Sequence, residues 1–325
     1  MSSARRYFKE LRFRQLRALV ELARKGSFTA VADVLKISVP SVWQQIRALE
    51  EEFGVAMVRQ TGKTAVLTEQ GGLLVQLAQP LVESFDGIRE LFADQNRKLP
   101  RRITVATTAS LLLHELQKPL ELYRKRHSDV QLSFLDRPST MARKHLDDGE
   151  ADVAIVGQID APLSPLTEFT AVTAYPFVLV CPDGHPLLKA RILKPADLIK
   201  HPLVMPGQGT NSHRHVQDVF EAAGLWQKAN VALTASTFDI VVRYVRMGFG
   251  ISVTSVSPMI LKDAAQGHSS YRGVAFRNLS RLFGSEKIVV LNRRAKIELP
   301  HHRAFREIVV ETLKAAGSAL KTGRR

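Results

Sequence analysis

A single cysteine, Cys181, leaves this 325-residue chain without a partner for an intramolecular disulfide and without a thiol pair for a structural zinc or an iron–sulfur cluster. That shortage points to a reducing, cytoplasmic setting. Long apolar runs are missing too. The longest uncharged stretches, Met247–Leu261 and Phe169–Pro182, each contain proline and fall short of the roughly 18 residues that suggest a membrane span. The opening MSSARRYFKELRFRQLR is charged throughout and has no apolar core of a signal peptide, so no membrane role is expected. Acidic residues are the third shortage, with 31 Asp and Glu against 46 Lys and Arg, for a formal charge of +15. Such a balance favours a polyanionic partner. With 45% hydrophobic and 24% charged residues, the chain has the composition of a globular protein.

A catalytic constellation is also lacking. Gly207-Gln208-Gly209 echoes a phosphate loop without its full glycine pattern or a following Lys-Ser/Thr. His213 and His215 are two apart and point to different helix faces, and His301 and His302 are adjacent, so neither pair has the spacing of a helical zinc site. Cys181 ends an apolar run and reads as a buried, inert thiol. Neither an enzyme, a cofactor nor a metal is expected.

What is present divides near Pro100. The first hundred residues read as helical with short breaks, and the rest alternates β-rich runs with amphipathic helices. Strands are predicted at 103–107, 130–135, 152–157, 177–181, 230–234, 250–254 and 287–291, and helices at 111–126, 140–148, 212–223, 238–247 and 303–315.

In the first part, Leu16, Leu19, Val20 and Ala23 form one helical stripe that stops at Lys25-Gly26. Ser27 caps a second helix that Phe28 anchors and in which Ala30, Val31, Val34 and Leu35 supply core contacts. Ser38 caps a third, with Pro40 in its first turn, where a missing N–H costs little. On that helix Val42, Ile46, Leu49 and Phe53 share the inward face, leaving Pro40, Gln44 and Arg47, flanked by Ser41, Trp43 and Ala48, on the outward one. This is a helix-turn-helix with a recognition helix suited to a major groove. Residues 55–67, with a turn at Gln60-Thr61-Gly62-Lys63, read as a β-hairpin wing that offers Arg59, Lys63 and Thr64 to phosphates or a minor groove. The candidate DNA contacts are Phe28, Thr29, Ser38, Pro40, Ser41, Trp43, Gln44, Arg47, Arg59, Lys63 and Thr64.

From Thr68 a helix runs to about Gln95, with Leu74, Leu77, Leu81, Phe85, Ile88 and Phe92 spaced by three or four residues. Pro80 inside it predicts a bend. Packing on its own domain and pairing with a second subunit are the two fates open to such a seam.

The run Leu16-Arg17-Ala18-Leu19-Val20-Glu21-Leu22-Ala23, then Gly26-Ser27-Phe28-Thr29-Ala30-Val31-Ala32, Ser38-Val39-Pro40-Ser41-Val42, Gln45-Ile46-Arg47-Ala48-Leu49-Glu50 and Val66-Leu67-Thr68-Glu69-Gln70-Gly71 resembles the winged helix-turn-helix of LysR-type transcriptional regulators. Val39, Trp43 and Gln44 depart from the common glutamine, serine and arginine of that pattern, so operator preference does not carry over. Farther on, Ala106-Thr107-Thr108-Ala109-Ser110, Gly149-Glu150-Ala151-Asp152-Val153-Ala154-Ile155 and Val245-Arg246-Met247-Gly248-Phe249-Gly250-Ile251 match family landmarks, and the first and third, with Thr210, are most similar to the CysB-like branch.

The resemblance implies an α then α/β fold: a winged helix-turn-helix over 1–67, a linker and dimerisation helix over 68–99, and a two-lobed, periplasmic-binding-protein-like α/β effector domain over 100–316. Lobe I would take about 100–174 and 277–316, and lobe II about 175–276. A basic tail at 317–325 would follow. It implies a homodimer or homotetramer on double-stranded operator DNA, a small-molecule effector, contact with RNA polymerase if the chain is an activator, and a cytoplasmic, nucleoid-associated location. For the effector, Thr107, Thr108, Ser110, Arg137 and Thr210 stand where strand ends meet helix N-termini, an arrangement suited to a small anion. Leu111 and Gly157 replace the branch's glutamine and threonine, which points away from inorganic sulfate toward a larger or less polar ligand. The alternatives are a nonspecific architectural DNA binder, which leaves the α/β region superfluous, and a cytosolic solute-binding sensor, which leaves the helix-turn-helix unexplained.

Overall fold

A computed structural model describes residues 11–61, 64–96, 101–158, 163–164, 166–294 and 297–322. The chain separates into two compact units, one of residues 1–99 with 294–299 and one of residues 100–293 with 300–325.

The first unit opens with three helices, α1 (Phe13–Lys25), α2 (Phe28–Leu35) and α3 (Val39–Phe53). Local sequence sets their ends. Gly26 takes φ +65°, a left-handed conformation that closes α1 without the penalty a Cβ would bring. Ser27 and Ser38 then cap α2 and α3 by accepting from Ala30 N and Ser41 N. Leu19, Val20, Val31, Val42, Ile46 and Leu49 are buried together. Ala23, Val34 and Phe53, expected inside, are exposed instead: each lies at the edge of its helical stripe and near a helix end, beyond the reach of the neighbouring helices.

Strands β1 (Val58–Thr61) and β2 (Thr64–Leu67) pair antiparallel as the wing. The Glu50 carboxylate accepts from Met57 N at 2.9 Å and Val58 N at 3.2 Å, and Ala65 N donates to Gly26 O at 3.0 Å, which fixes the wing to the helices. Helix α4 (Glu69–Gln95) follows, capped by Thr68, and continues through Pro80. Val75, Ala78 and Val82 bury its inner face in the helical core. Of the expected seam, Leu74 is half-buried against its own domain, while Leu77, Leu81, Phe85, Ile88 and Phe92 are exposed, together with Leu73. Arg24 donates to Glu83 at 2.7 Å and to Glu21 at 2.9 Å, joining α1 to α4 through a carboxylate that is 5% exposed.

The second unit is α/β. In lobe I, β3 (Arg102–Thr107) lies parallel to β4 (Gln131–Asp136) and β5 (Val153–Gly157). Helices α5 (Ala109–His114), α6 (Gln117–Arg126) and α7 (Ser139–Asp147) connect these strands. The predicted single helix over 111–126 is thus two, parted at Glu115-Leu116, where Leu116 is fully buried. Strand β6 (Thr167–Pro182) runs from lobe I into lobe II.

Lobe II holds α8 (Pro195–Leu198), β7 (Leu203–Pro206), α9 (Asn211–Ala222), β8 (Val231–Ala235), α10 (Phe238–Arg246), β9 (Ser252–Ser255), α11 (Pro258–Ala265), β10 (Val274–Asn278) and α12 (Ser280–Phe283). Strand β11 (Ser285–Arg293) returns to lobe I between β5 and β6, and α13 (Pro300–Thr322) packs its Phe305, Val309 and Leu313 into the lobe I core. Strands β7 and β10 are not among the predicted strands; β7 is buried at all four positions and β10 is graded rather than alternating in burial, so neither shows a period of two. Among the described residues, no helix is long and apolar enough to cross a membrane.

Candidate functional site

On α3, Val42, Ile46 and Leu49 face the core, so the helical period turns Pro40, Trp43, Gln44 and Arg47 outward, where all four are exposed. Thr29, Ser38, Arg59 and Thr64 are exposed as well, and Ser41 is half-buried with its hydroxyl 2.8 Å from that of Ser38. Lys63 lies outside the described residues. Phe28 needs correction as a direct DNA contact: it is only 8% exposed, and its ring lies under Trp43 at 4.2 Å between centroids and 4° between planes. It holds the indole in one orientation on an otherwise polar face. Sequence periodicity placed the two residues on different helices and carried no signal for this stack.

The second candidate site lies where the lobes of the α/β unit meet. Thr107 is fully buried and its hydroxyl donates to Ile155 O at 2.8 Å, so it ties β3 to β5 and is withdrawn from ligand contact, a correction to the sequence reading. Thr108 caps α5, accepting from Leu111 N, with Ser110 half-buried in that first turn. Thr210 caps α9; it accepts from His213 N at 3.2 Å and donates to Gly207 O at 2.7 Å. Arg137 is exposed and its guanidinium donates to Asp136 O at 2.7 Å. The Asp136 carboxylate accepts from Ala109 N at 2.8 Å, so a backbone donor expected to face a ligand is taken by the protein itself.

Residues that the sequence reading passed over bind the lobes together. Asn211 and Ser212 at the start of α9, Ser255 at the end of β9 and Glu286 on β11 form one hydrogen-bonded group. Asn211 Nδ2 donates to Glu286 Oε1 at 3.0 Å and to Gln158 O at 3.2 Å, and the hydroxyls of Ser212 and Ser255 are 2.8 Å apart. Both serines also donate to Glu286 Oε2, Ser212 at 3.4 Å. Nearby, the Ser257 hydroxyl donates to Glu115, whose carboxyl is pushed above the ordinary glutamate range chiefly by burial, opposed by the Ser257 hydroxyl and the neighbouring Tyr175 phenol. Tyr175 on β6, opposite Glu286 in the strand register, is pushed well above an ordinary phenol by burial and by both carboxylates. His114 and Asp239 form a further link between α5 and α10 at 3.2 Å. The partners in these groups lie 75 residues or more apart in several cases, as with Asn211 and Glu286, and no local motif marks them.

Two known families match the chain: the LysR substrate binding domain over residues 96–314, and the bacterial regulatory helix-turn-helix protein of the lysR family over residues 13–72. The CysB transcriptional regulator of Haemophilus influenzae is 28% identical over 245 residues, 75% of each chain. The RuBisCO operon transcriptional regulator of Allochromatium vinosum is 27% identical over 302 residues, 91% of this chain and 95% of that one. Among solved structures, a full-length OxyR variant from Pseudomonas aeruginosa superposes with a TM-score of 0.62 at 19% identity, covering 94% of this chain and 95% of that one, a likeness of fold.

Proposed function

Because this chain belongs to the LysR family of DNA-binding transcriptional regulators, with the CysB-like branch among its relatives, we propose that α3 reads operator DNA through Pro40, Trp43, Gln44 and Arg47 while an effector bound between the lobes alters those contacts. The observation that carries this reading is the two-sidedness of α3: an apolar face buried in the three-helix core and a donor-bearing face left exposed. Gln44 offers a bidentate partner for adenine and Arg47 one for guanine or phosphate; Ser38, Ser41, Thr29, Arg59 and Thr64, with Lys63 on the strength of its sequence position, are the accompanying phosphate contacts. Residues 1–67 serve as the DNA-binding domain, 68–99 as linker, 100–316 as effector domain and 317–325 as a basic extension.

The exposed stripe Leu73, Leu77, Leu81, Phe85, Ile88 and Phe92 on α4 supports pairing with a second copy, as a homodimer or homotetramer. A two-fold assembly places two recognition helices on half-sites about one helical turn, or a multiple of it, apart. The effector acts by population shift, since it biases DNA binding only through different affinity for two arrangements of the oligomer. Thr108, Ser110, Thr210 and Arg137 are the effector-facing candidates that remain after Thr107. The protein works in the cytoplasm on the nucleoid, without catalysis of its own, and contacts RNA polymerase if it activates.

Fluorescence anisotropy of the full chain against the DNA upstream of its own gene and a scrambled control, across a salt series, tests this. A specificity ratio of at least about 10³ at physiological salt, lost in a Gln44→Ala/Arg47→Ala double variant, is the expected result. Equal and steeply salt-dependent binding to both DNAs would favour a nonspecific architectural role.

A further inference from the structure

Glu286 occupies an unusual place. It begins the return strand β11, yet its carboxylate reaches the first turn of α9, where Asn211 and Ser212 donate to it, and the end of β9, where Ser255 does so. These donors converge from lobe II, and at a helix N-terminus the backbone field adds to their attraction for negative charge. From the lobe I side the same carboxylate lies over Gly157, the last residue of β5. A Cβ at Gly157 would fall 1.9 Å from Glu286 Oε1 and 2.7 Å from Asn211 Nδ2. The backbone at this position is not left-handed, so what the glycine provides is room for the carboxylate and the Asn211 amide, the ends of two flexible side chains that a Cβ would push aside. The absence of a side chain at 157 and the presence of an acid at 286 are two parts of one arrangement.

The charge balance around Glu286 points the same way. Its hydrogen-bond partners are neutral side chains, and among the described residues neither Glu286 nor Glu115 has a lysine or arginine in ion-pair contact. In a chain of formal charge +15 this interlobe region holds two carboxylates close enough to act together on Tyr175. On the α5 side, Asp136 takes Ala109 N in the same manner.

We infer that the Glu286 carboxylate is a built-in occupant of the position where a small free oxyanion would otherwise be held between Gly157 and the α9 N-terminus, so that the effector presents a neutral hydrogen-bond donor or a positive charge to this end of the site. This rests on the reading of the interlobe region as the effector site, and it replaces the sequence-based expectation of an anionic ligand there. Like charges at contact distance repel, and the donors an oxyanion would need are already engaged.

The test is thermal unfolding of the full chain, wild type and Glu286→Ala, titrated with sodium sulfate and with sodium chloride at matched ionic strength. Wild type is expected to show only the gradual, non-saturating rise in Tm that an excluded salt such as sulfate gives any folded protein. Glu286→Ala, with the donors freed and the charge gone, is expected to gain a saturable, sulfate-specific rise of at least about 2 °C in Tm. Glu286→Ser, which also vacates the position, carries the same test if the alanine variant does not fold. A saturable sulfate-specific shift in wild type, or none in a folded Glu286 variant, overturns the inference. Operator binding by the same wild-type preparation is read in parallel. Its failure would sink the regulator reading alone, because the sulfate response does not depend on DNA.

Discussion

Truncating Trp43 to alanine probes both the stability of the helix-turn-helix and the chemistry of its outward face. The indole is 36% exposed and lies parallel to the Phe28 ring at 4.2 Å, so truncation uncovers one face of Phe28 and removes an aromatic pair. Such a pair contributes about 0.5–1.5 kcal/mol beyond the area it buries, so a total loss of about 2 kcal/mol is expected in urea unfolding. Trp43→Phe, which preserves a ring on Phe28, should recover most of it. On DNA, an indole edge fixed beside Gln44 and Arg47 is placed to meet a thymine methyl in the major groove. Burying one methyl is worth about 0.8 kcal/mol, or roughly a fourfold change in Kd. Anisotropy titrations against operators in which single thymines are replaced by deoxyuridine should find a position where wild type loses that factor and Trp43→Ala does not. Unchanged stability in Trp43→Ala, or the same deoxyuridine sensitivity in both proteins, would refute the reasoning.

Three further outcomes are expected. Glu83→Ala removes the buried acceptor of Arg24 and Gln79, at 2.7 and 3.0 Å; with Glu21 still pairing Arg24, the loss should be about 3 kcal/mol, the low end for breaking a buried pair, read from denaturant unfolding. Glu115 has a folded-state pKa above its unfolded value, so its contribution to stability is full below the ordinary glutamate range and lost as pH rises through the folded value. Glu115→Gln, which keeps an acceptor for Ser257, should therefore melt higher than wild type at neutral pH, with the gap closing in acid; a gap that widens in acid would contradict the sign. Leu81→Glu on the exposed stripe of α4 should shift sedimentation equilibrium toward monomer and weaken operator binding, while leaving the monomer's helical content intact by circular dichroism.

The helical module was legible because its signals are local. Gly26, Ser27 and Ser38 mark two helix boundaries by backbone conformation and capping, and a buried residue every third or fourth position gives the orientation of α3. The same locality explains the errors. Val34 and Phe53 continue an apolar pattern past the point where a neighbouring helix is available to cover them, and the predicted helix 111–126 runs through Pro119, which the structure places in the first turn of α6, just after the break at Glu115-Leu116. Thr107 stands at a strand end, where a hydroxyl is expected to face a ligand, but burial turns it to Ile155 O.

The order of a helical DNA-binding module, a long apolar-striped helix and an α/β region follows from local signals alone, since capping, turn residues and periodicity act within a few positions of the chain. Which polar groups meet is set by long-range packing. Phe28 reaches Trp43 across a helix turn, Arg24 finds Glu83 59 residues away, and Glu286 meets Asn211 and Ser255 only after two strands have crossed between lobes. Pairings of that kind depend on the register of distant strands and on which side-chain ends converge, as over Gly157, and a one-dimensional pattern carries neither.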